Sequence, residues 1–214
     1  PWEGGEGKVP FQYVTINVEI AKKLILEAKY QSAIEHLETA QVYPHNLGEG
    51  KLFGAQENDI FYWLGCAYEG LNNEKLATLN WKKASEGLSD PSPAIFYNDQ
   101  QPEKIFYQGL ALQKLSEHSQ AEKCFHNLID HGKLHLNDQV TLDYFAISLP
   151  DLLIWEEDLN DRNNIHCHYL IGLGELGFRN EEASRKCIEK VLAKDLYHLP
   201  AKLHLQMITE LVKN

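Results

Sequence analysis

Metal chemistry is the first possibility that residue types raise, because His166, Cys167 and His168 stand in a row and His131, His135, His198 and His204 are available from elsewhere. Imidazole and thiolate are the usual zinc ligands. On a helix, however, adjacent residues point about 100° apart, so His166 and Cys167 cannot face one tetrahedral ion, and the expectation is that no partnered C-x-x-C or H-x-x-x-H completes a site. The expectation is a set of partly exposed histidines, with no metal and no cofactor. Phosphate chemistry is raised by "GEGKL" at 48–52 and by the opening "PWEGGEGK". A phosphate-binding loop needs G-x-x-x-x-G-K followed by Ser or Thr for the magnesium ion, and Leu52 has no hydroxyl. Glu3 and Glu6 would place negative charge where a phosphate would sit. Both stretches read as glycine-enabled turns that pack an aromatic anchor, Trp2 or Phe53, onto the body. The carboxylate pairs Glu156–Glu157 and Glu181–Glu182 are neighbours, suited to solvent or to a helix start rather than to facing each other across a substrate. A nucleophile elbow of the G-x-S-x-G type is absent. No catalytic residue is expected, and the chain is not read as an enzyme.

Composition narrows the field further. The 214 residues are 43% hydrophobic and 24% charged, an ordinary globular balance. Lys and Arg number 20 against 31 Asp and Glu, a net charge of −11, which disfavours contact with nucleic acid or an anionic membrane surface. No run approaches the roughly 18 apolar residues of a membrane span. Cys66, Cys124, Cys167 and Cys187 lie far apart inside apolar periodic segments, where a thiol serves as a small hydrophobe. Read as reduced, they point to a cytoplasmic protein. A start at Pro1 without Met suggests a processed form or a piece of a longer chain.

The elements that must position any site emerge from an internal repeat. From Ala21, small or apolar residues follow at offsets 3, 12, 16 and 19: Leu24, Ala33, Leu37 and Ala40. Gly65 repeats the pattern with Tyr68, Ala77, Trp81 and Ala84, and Gly109 with Leu112, Ala121, Phe125 and Leu128. These starts lie 44 residues apart (65 − 21 and 109 − 65). A fourth copy begins near Gly172 and is read through Ala183, Cys187 and Val191, with a turn one residue short and Glu175 at an apolar position. The pattern describes two antiparallel helices: a small residue on the first admits the second, whose own small residue receives it, and large residues fill the surroundings.

The segments "FYWLGCAYEGLNNEKLATLNWKKA" and "IFYQGLALQKLSEHSQAEKCF" carry a resemblance to the tetratricopeptide repeat. That resemblance implies an all-α, solenoid-like fold of about four helical hairpins in a single domain, 1–214. The repeats fall at about 9–43, 56–87, 102–131 and 162–194. The family's usual period is 34, so the loops "YPHNLGEGKLFGAQEN" and "SDPSPAIFYNDQQPE" add about ten residues each. Their Gly, Pro and Asn content predicts loops rather than extra helices. An insertion over 137–160, broken at Pro150, holds one further helix or two short ones, and a capping helix spans 198–213. Pro102 and Asn180 suit helix starts. Over nearly its whole length, through "PWEGGEGKV", "NLGEGKLFGAQENDIFYWLGCAYEGL", "FYNDQQPEKIFYQGL" and "YFAISLPDLLIWEEDLN", the chain also resembles the C-terminal portion of large bacterial proteins with an N-terminal mutarotase-like domain. This second resemblance implies an upstream module, with possible action on carbohydrate.

In tetratricopeptide arrays the first helix of each repeat lines a groove with the residues three before, one after and four after the small position. The resemblance therefore points to Tyr62, Cys66 and Glu69, to Phe106, Leu110 and Gln113, and to Tyr169 with His166 at the start of its helix. Tyr62, Phe106 and Tyr169 would form an aromatic wall for peptide or sugar, or else bury against the loops; both readings stand at this stage. The family's carboxylate clamp has no match. Val18, Lys22, Tyr62, Cys66, Phe106 and Leu110 occupy its places and supply one cation, which disfavours chaperone tails. The resulting expectation is a scaffold docking a protein or peptide, the upstream domain of the same polypeptide included. A rival reading lets the array complete the site of a carbohydrate-processing enzyme through Trp2, Asp99 or Trp155.

Overall fold

The computed structural model describes residues 7–48, 50–51, 54–93, 101–140 and 158–211. Among them lie nine α-helices and no strand: α1 Lys8–Leu26, α2 Tyr30–Ala40, α3 Asn58–Gly70, α4 Glu74–Ala84, α5 Pro102–Lys114, α6 His118–His135, α7 Leu159–Gly177, α8 Glu181–Lys194 and α9 Leu199–Leu211. The protein is all-helical over the described residues, as the repeat predicts. It divides into two compact bodies, the first formed by 1–89 with 103–121 and the second by 90–102 with 122–214.

Local chemistry explains where the helices begin and end. Pro102 opens α5, where its missing N–H costs nothing. The side chains of Asn73, Asp158 and Asn180 accept from Leu76, Asn160 and Ala183 amides at the starts of α4, α7 and α8. Acidic residues favour first turns, as Glu74 does in α4 and Glu181 and Glu182 do in α8, and Lys82 and Lys83 favour the last turn of α4.

The four turns that join first helix to second helix are built alike. Seven residues after each small position, Ala28, Asn72, Ser116 and Arg179 adopt left-handed conformations with φ of 56°, 57°, 62° and 59°. They are the only non-glycine residues with positive φ among those described. The next residue's amide then bonds back five positions: Lys29 to Leu24 at 2.8 Å, and Asn73 to Tyr68, Glu117 to Leu112 and Asn180 to Glu175 at 2.9 Å each. The left-handed residue's own amide bonds three positions back, to Ile25, Glu69, Gln113 and Leu176. This is the Schellman closure, which satisfies the carbonyls that a helix end leaves open.

The turns also settle the register of the fourth repeat. Counting from Gly172, the left-handed residue falls at offset 7, as in the other three, so no residue is missing from the turn. The buried positions at offsets 12, 16 and 19 are Ser184, Ile188 and Val191, each fully buried, while Ala183 and Cys187 are half-exposed. The reading through Ala183 and Cys187 was displaced by one residue because it required an apolar small residue. Ser184 meets the need for small size, and its hydroxyl donates to the Gly172 carbonyl at 2.7 Å. Glu175 supplies the carbonyl of the turn and keeps its side chain half-exposed, so offset 3 needs no apolar residue there.

In the first body, Val18, Ala21, Ala33, Ile34, Leu37, Ala40, Ile60, Leu64 and Ala67 form one core from α1, α2 and α3. Ala77, Trp81 and Ala84 of α4 join Ala111 of α5 in another. Close approach is visible at Gly65, where a Cβ would lie 2.2 Å from the Trp81 indole nitrogen. In the second body, Cβ atoms on Gly174 and Gly177 would lie 2.5 Å from Ile129 and 2.3 Å from Phe125, so α6 packs tightly on α7. Gly65, Ala77, Gly109 and Ala121 are all buried, as helix nesting requires.

The first long loop carries one 3₁₀ turn, His45–Leu47. Helix α7 begins at Leu159, so the end of the stretch assigned to the insertion belongs to the fourth repeat. The rest of the insertion, at 141–157, lies outside the described residues. Helix α9 occupies the position of the expected cap and packs on α8 and α7.

Candidate functional site

The first-helix residues of repeats two and three meet in the first body. Tyr62 of α3 packs edge-on against Trp63 with ring centroids 5.1 Å apart and lies 5.5 Å from Tyr107 of α5. Trp63 and Tyr107 are 6.2 Å apart, and Phe106 stands 5.3 Å from Tyr107. Four rings from two helices thus form one cluster, and edge-to-face geometry of this kind is favourable beyond simple burial. Trp63 and Tyr107 were not singled out from sequence. Their signal was present, since they are 44 residues apart and occupy the same repeat position, two before the small residue.

Ion pairs frame the rings. Lys22 of α1 places its Nζ 5.6 Å from the Trp63 ring centroid and donates to Glu19 at 2.7 Å. Lys114 of α5 donates to Glu69 of α3 at 2.5 Å and lies 5.0 Å over the Trp81 ring. Lys104 donates to Asp59 at 2.5 Å. Asp59 to Lys104 and Glu69 to Lys114 are each 45 residues apart, one more than the repeat, so both ends of α3 are tied to α5 by the same offset.

The ionisable groups of the cluster are held neutral. Burial pushes the Tyr62 phenol well above its ordinary range, with Cys66 beside it adding to the shift. Burial likewise raises the Tyr107 phenol, against the pull of Lys22. The Cys66 thiol is pushed up to about 11 by burial, with Lys114 opposing. A thiol protonated at neutral pH is a poor nucleophile, and a protonated phenol cannot act as a base. The rings of Tyr62 and Trp63 are half-buried, while those of Phe106 and Tyr107 are buried at 0% and 4% exposure.

The expected groove residues fall into two groups. Tyr62, Cys66, Leu110 and Gln113 are half-buried and Glu69 is exposed, all in the first body. Phe106 and Tyr169 are buried, at 0% and 2% exposure, so the supposed wall of Tyr62, Phe106 and Tyr169 is not a surface. Phe106 packs edge-on against the likewise buried Tyr107 in the cluster. Tyr169 belongs to the second body, where its ring packs on His198 at 4.9 Å and its hydroxyl lies 3.1 Å from His204 Nδ1. His166 is 8% exposed and donates from Nε2 to the Ser92 carbonyl at 2.9 Å. Both residues hold α7 to its neighbours.

Among the described residues, no three His, Cys, Asp or Glu side chains converge in a way that could hold a metal ion. Contrary to the expectation of no H-x-x-x-H pair, His131 and His135 stand at i, i+4 on α6 with rings 4.4 Å apart, and His135 pairs with Asp138 at 2.6 Å. Lys51 of the "GEGKL" loop is bound to Glu57 at 2.6 Å and to the Gln41 carbonyl at 3.2 Å. Trp2, Phe53, Asp99, Trp155, Glu156 and Glu157 lie outside the described residues. No described helix is long and apolar enough to cross a membrane. No family model matches the chain. No solved structure matches it.

Proposed function

We propose that this chain is a protein-interaction scaffold of tetratricopeptide type. Its docking surface is the first-helix face of repeats one to three, centred on Tyr62 and Trp63. The observation that carries this reading is the placement of rings at the same two repeat positions on α3 and α5, half-exposed on α3 and bordered by ion pairs. Rigid aromatic side chains lose little conformational entropy on binding and dominate the energetics of peptide grooves. The framing pairs Lys22–Glu19 and Lys114–Glu69 offer both signs of charge at the margin, where charge selects a partner and its orientation. The partner is a polypeptide segment, and an upstream domain of the same polypeptide is one source of it.

The test is a peptide selected from a random display library on the 214-residue protein, then titrated calorimetrically against Tyr62→Ala and Trp63→Ala. Each variant should weaken binding by about tenfold or more, equivalent to about 1.4 kcal/mol, while the circular dichroism spectrum is kept. Unchanged affinity in both variants removes this surface from the account.

A further inference from the structure

We propose that His131 and His135, in the last turns of α6, form a binding site for a divalent nickel or copper ion. The two residues are four apart, so their side chains lie on one face of the helix, one turn from each other. Their ring centroids are 4.4 Å apart, with an interplanar angle of 46°. With nitrogen–metal bonds of about 2.0 Å, two imidazoles on one ion hold their centroids about 4.5 Å apart at a right angle and about 5.2 Å apart at the tetrahedral angle. The observed spacing matches neighbouring positions on a tetragonal or octahedral ion, the preference of copper(II) and nickel(II), better than the tetrahedral zinc geometry.

Asp138 prepares one of the two ligands. His135 Nδ1 donates to its carboxylate at 2.6 Å. A proton fixed on Nδ1 leaves the Nε2 lone pair to bind the ion, and a carboxylate behind a metal-bound imidazole raises the basicity of the ring. Asp138 is thus a positioning residue and not a ligand, in keeping with the lack of a three-residue ligand cluster among the described residues. Neither ring nitrogen of His131 has a hydrogen-bond partner among the described residues, so no bond must break for it to bind. Both histidines are half-buried, which leaves them open to an ion from solvent.

The backbone that carries the pair is held in place. A Cβ on Gly132 would lie 2.7 Å from the Cys167 carbonyl of α7, so α6 is pressed onto α7 between the two ligands. Asn163 donates to the His135 carbonyl at 2.8 Å, and the Asp138 amide closes back on that same carbonyl at 3.1 Å. The Val140 amide donates to Asn160 Oδ1 at 2.9 Å, which fixes the segment leading away from Asp138. Ligands held this way lose little freedom when the ion arrives. Two imidazoles leave the remaining coordination positions to water. All these residues belong to the second body and none to the aromatic cluster, so this inference and the proposed docking surface can fail separately.

The experiment titrates nickel chloride into the 214-residue protein by calorimetry, beside the variants His131→Gln, His135→Gln and Asp138→Asn. Either histidine variant should weaken binding by at least about tenfold, and Asp138→Asn by about tenfold, the usual share of an orienting partner in metal affinity. In the wild-type protein, substoichiometric nickel should broaden the ring proton resonances of His131 and His135 before those of the other histidines, a readout that needs no variant to fold. Nickel affinity unchanged in both histidine variants overturns the inference, as does broadening led by another histidine. Tighter binding of zinc chloride than of nickel chloride overturns the assigned geometry, and wild-type affinity in Asp138→Asn overturns the positioning role.

Discussion

Individual side chains decide how tightly the repeats close. Gly65 faces the Trp81 indole at a distance no Cβ tolerates, and Trp81 is itself wedged among Ala77, Ala84 and Ala111. Gly65→Ala should therefore destabilise the protein by about 1–3 kcal/mol despite its better helix propensity, measured by urea unfolding. Glu103, in the first turn of α5, is buried, and burial raises its carboxyl above the ordinary value of 4.5. A carboxyl raised in the folded state gives stability that is present below its unfolded pKa and lost as pH rises through its folded pKa. The Tm of Glu103→Gln, relative to wild type, should accordingly be more favourable at about pH 7 than at about pH 4. Sequence alone could mark Glu103 as a first-turn acid, but not as buried, because that depends on which residues close over the start of α5.

At the scale of elements, the repeat was legible because it is written twice, in side-chain size and in turn geometry. Gly65 with Ala77 and Gly109 with Ala121 sit where size predicts, and all are buried. The fourth repeat was misread because hydrophobicity was taken as the signal when volume was the constraint. Ser184 is small and hydrogen-bonds its neighbour's carbonyl, so a hydroxyl is tolerated at the closest approach. The corrected register has a direct consequence. Ile188→Ala should cost about 2–5 kcal/mol in chemical denaturation, while Cys187→Ala should cost well under half as much. The reverse order would restore the displaced register. The left-handed residues Ala28, Asn72, Ser116 and Arg179 could not have been found from composition, since three of the four are neither Gly nor Asn. Position fixed them: the surrounding hairpin demands that conformation and overrides local preference.

For the whole molecule, the helical class and the rhythm of the repeats were open to the sequence, whereas the candidate surface was only half so. Tyr62 and Cys66 were identified through the repeat and are half-buried, whereas Phe106 and Tyr169 are interior; Trp63, half-buried beside Tyr62, was not singled out, and Tyr107 is interior as well. Surface and core positions on a first helix differ by one residue, a step of about 100°, and periodicity cannot say which side a large ring takes when both sides are apolar. In the proposed function, a bound peptide lies against the half-buried rings of Tyr62 and Trp63 on α3. The chain contains four tryptophans, so its indole N–H groups can be followed individually by nuclear magnetic resonance. On saturation with a selected peptide, the Trp63 indole resonance should move more than those of Trp2, Trp81 and Trp155. A Trp63 resonance that stays in place while another tryptophan moves would contradict the account.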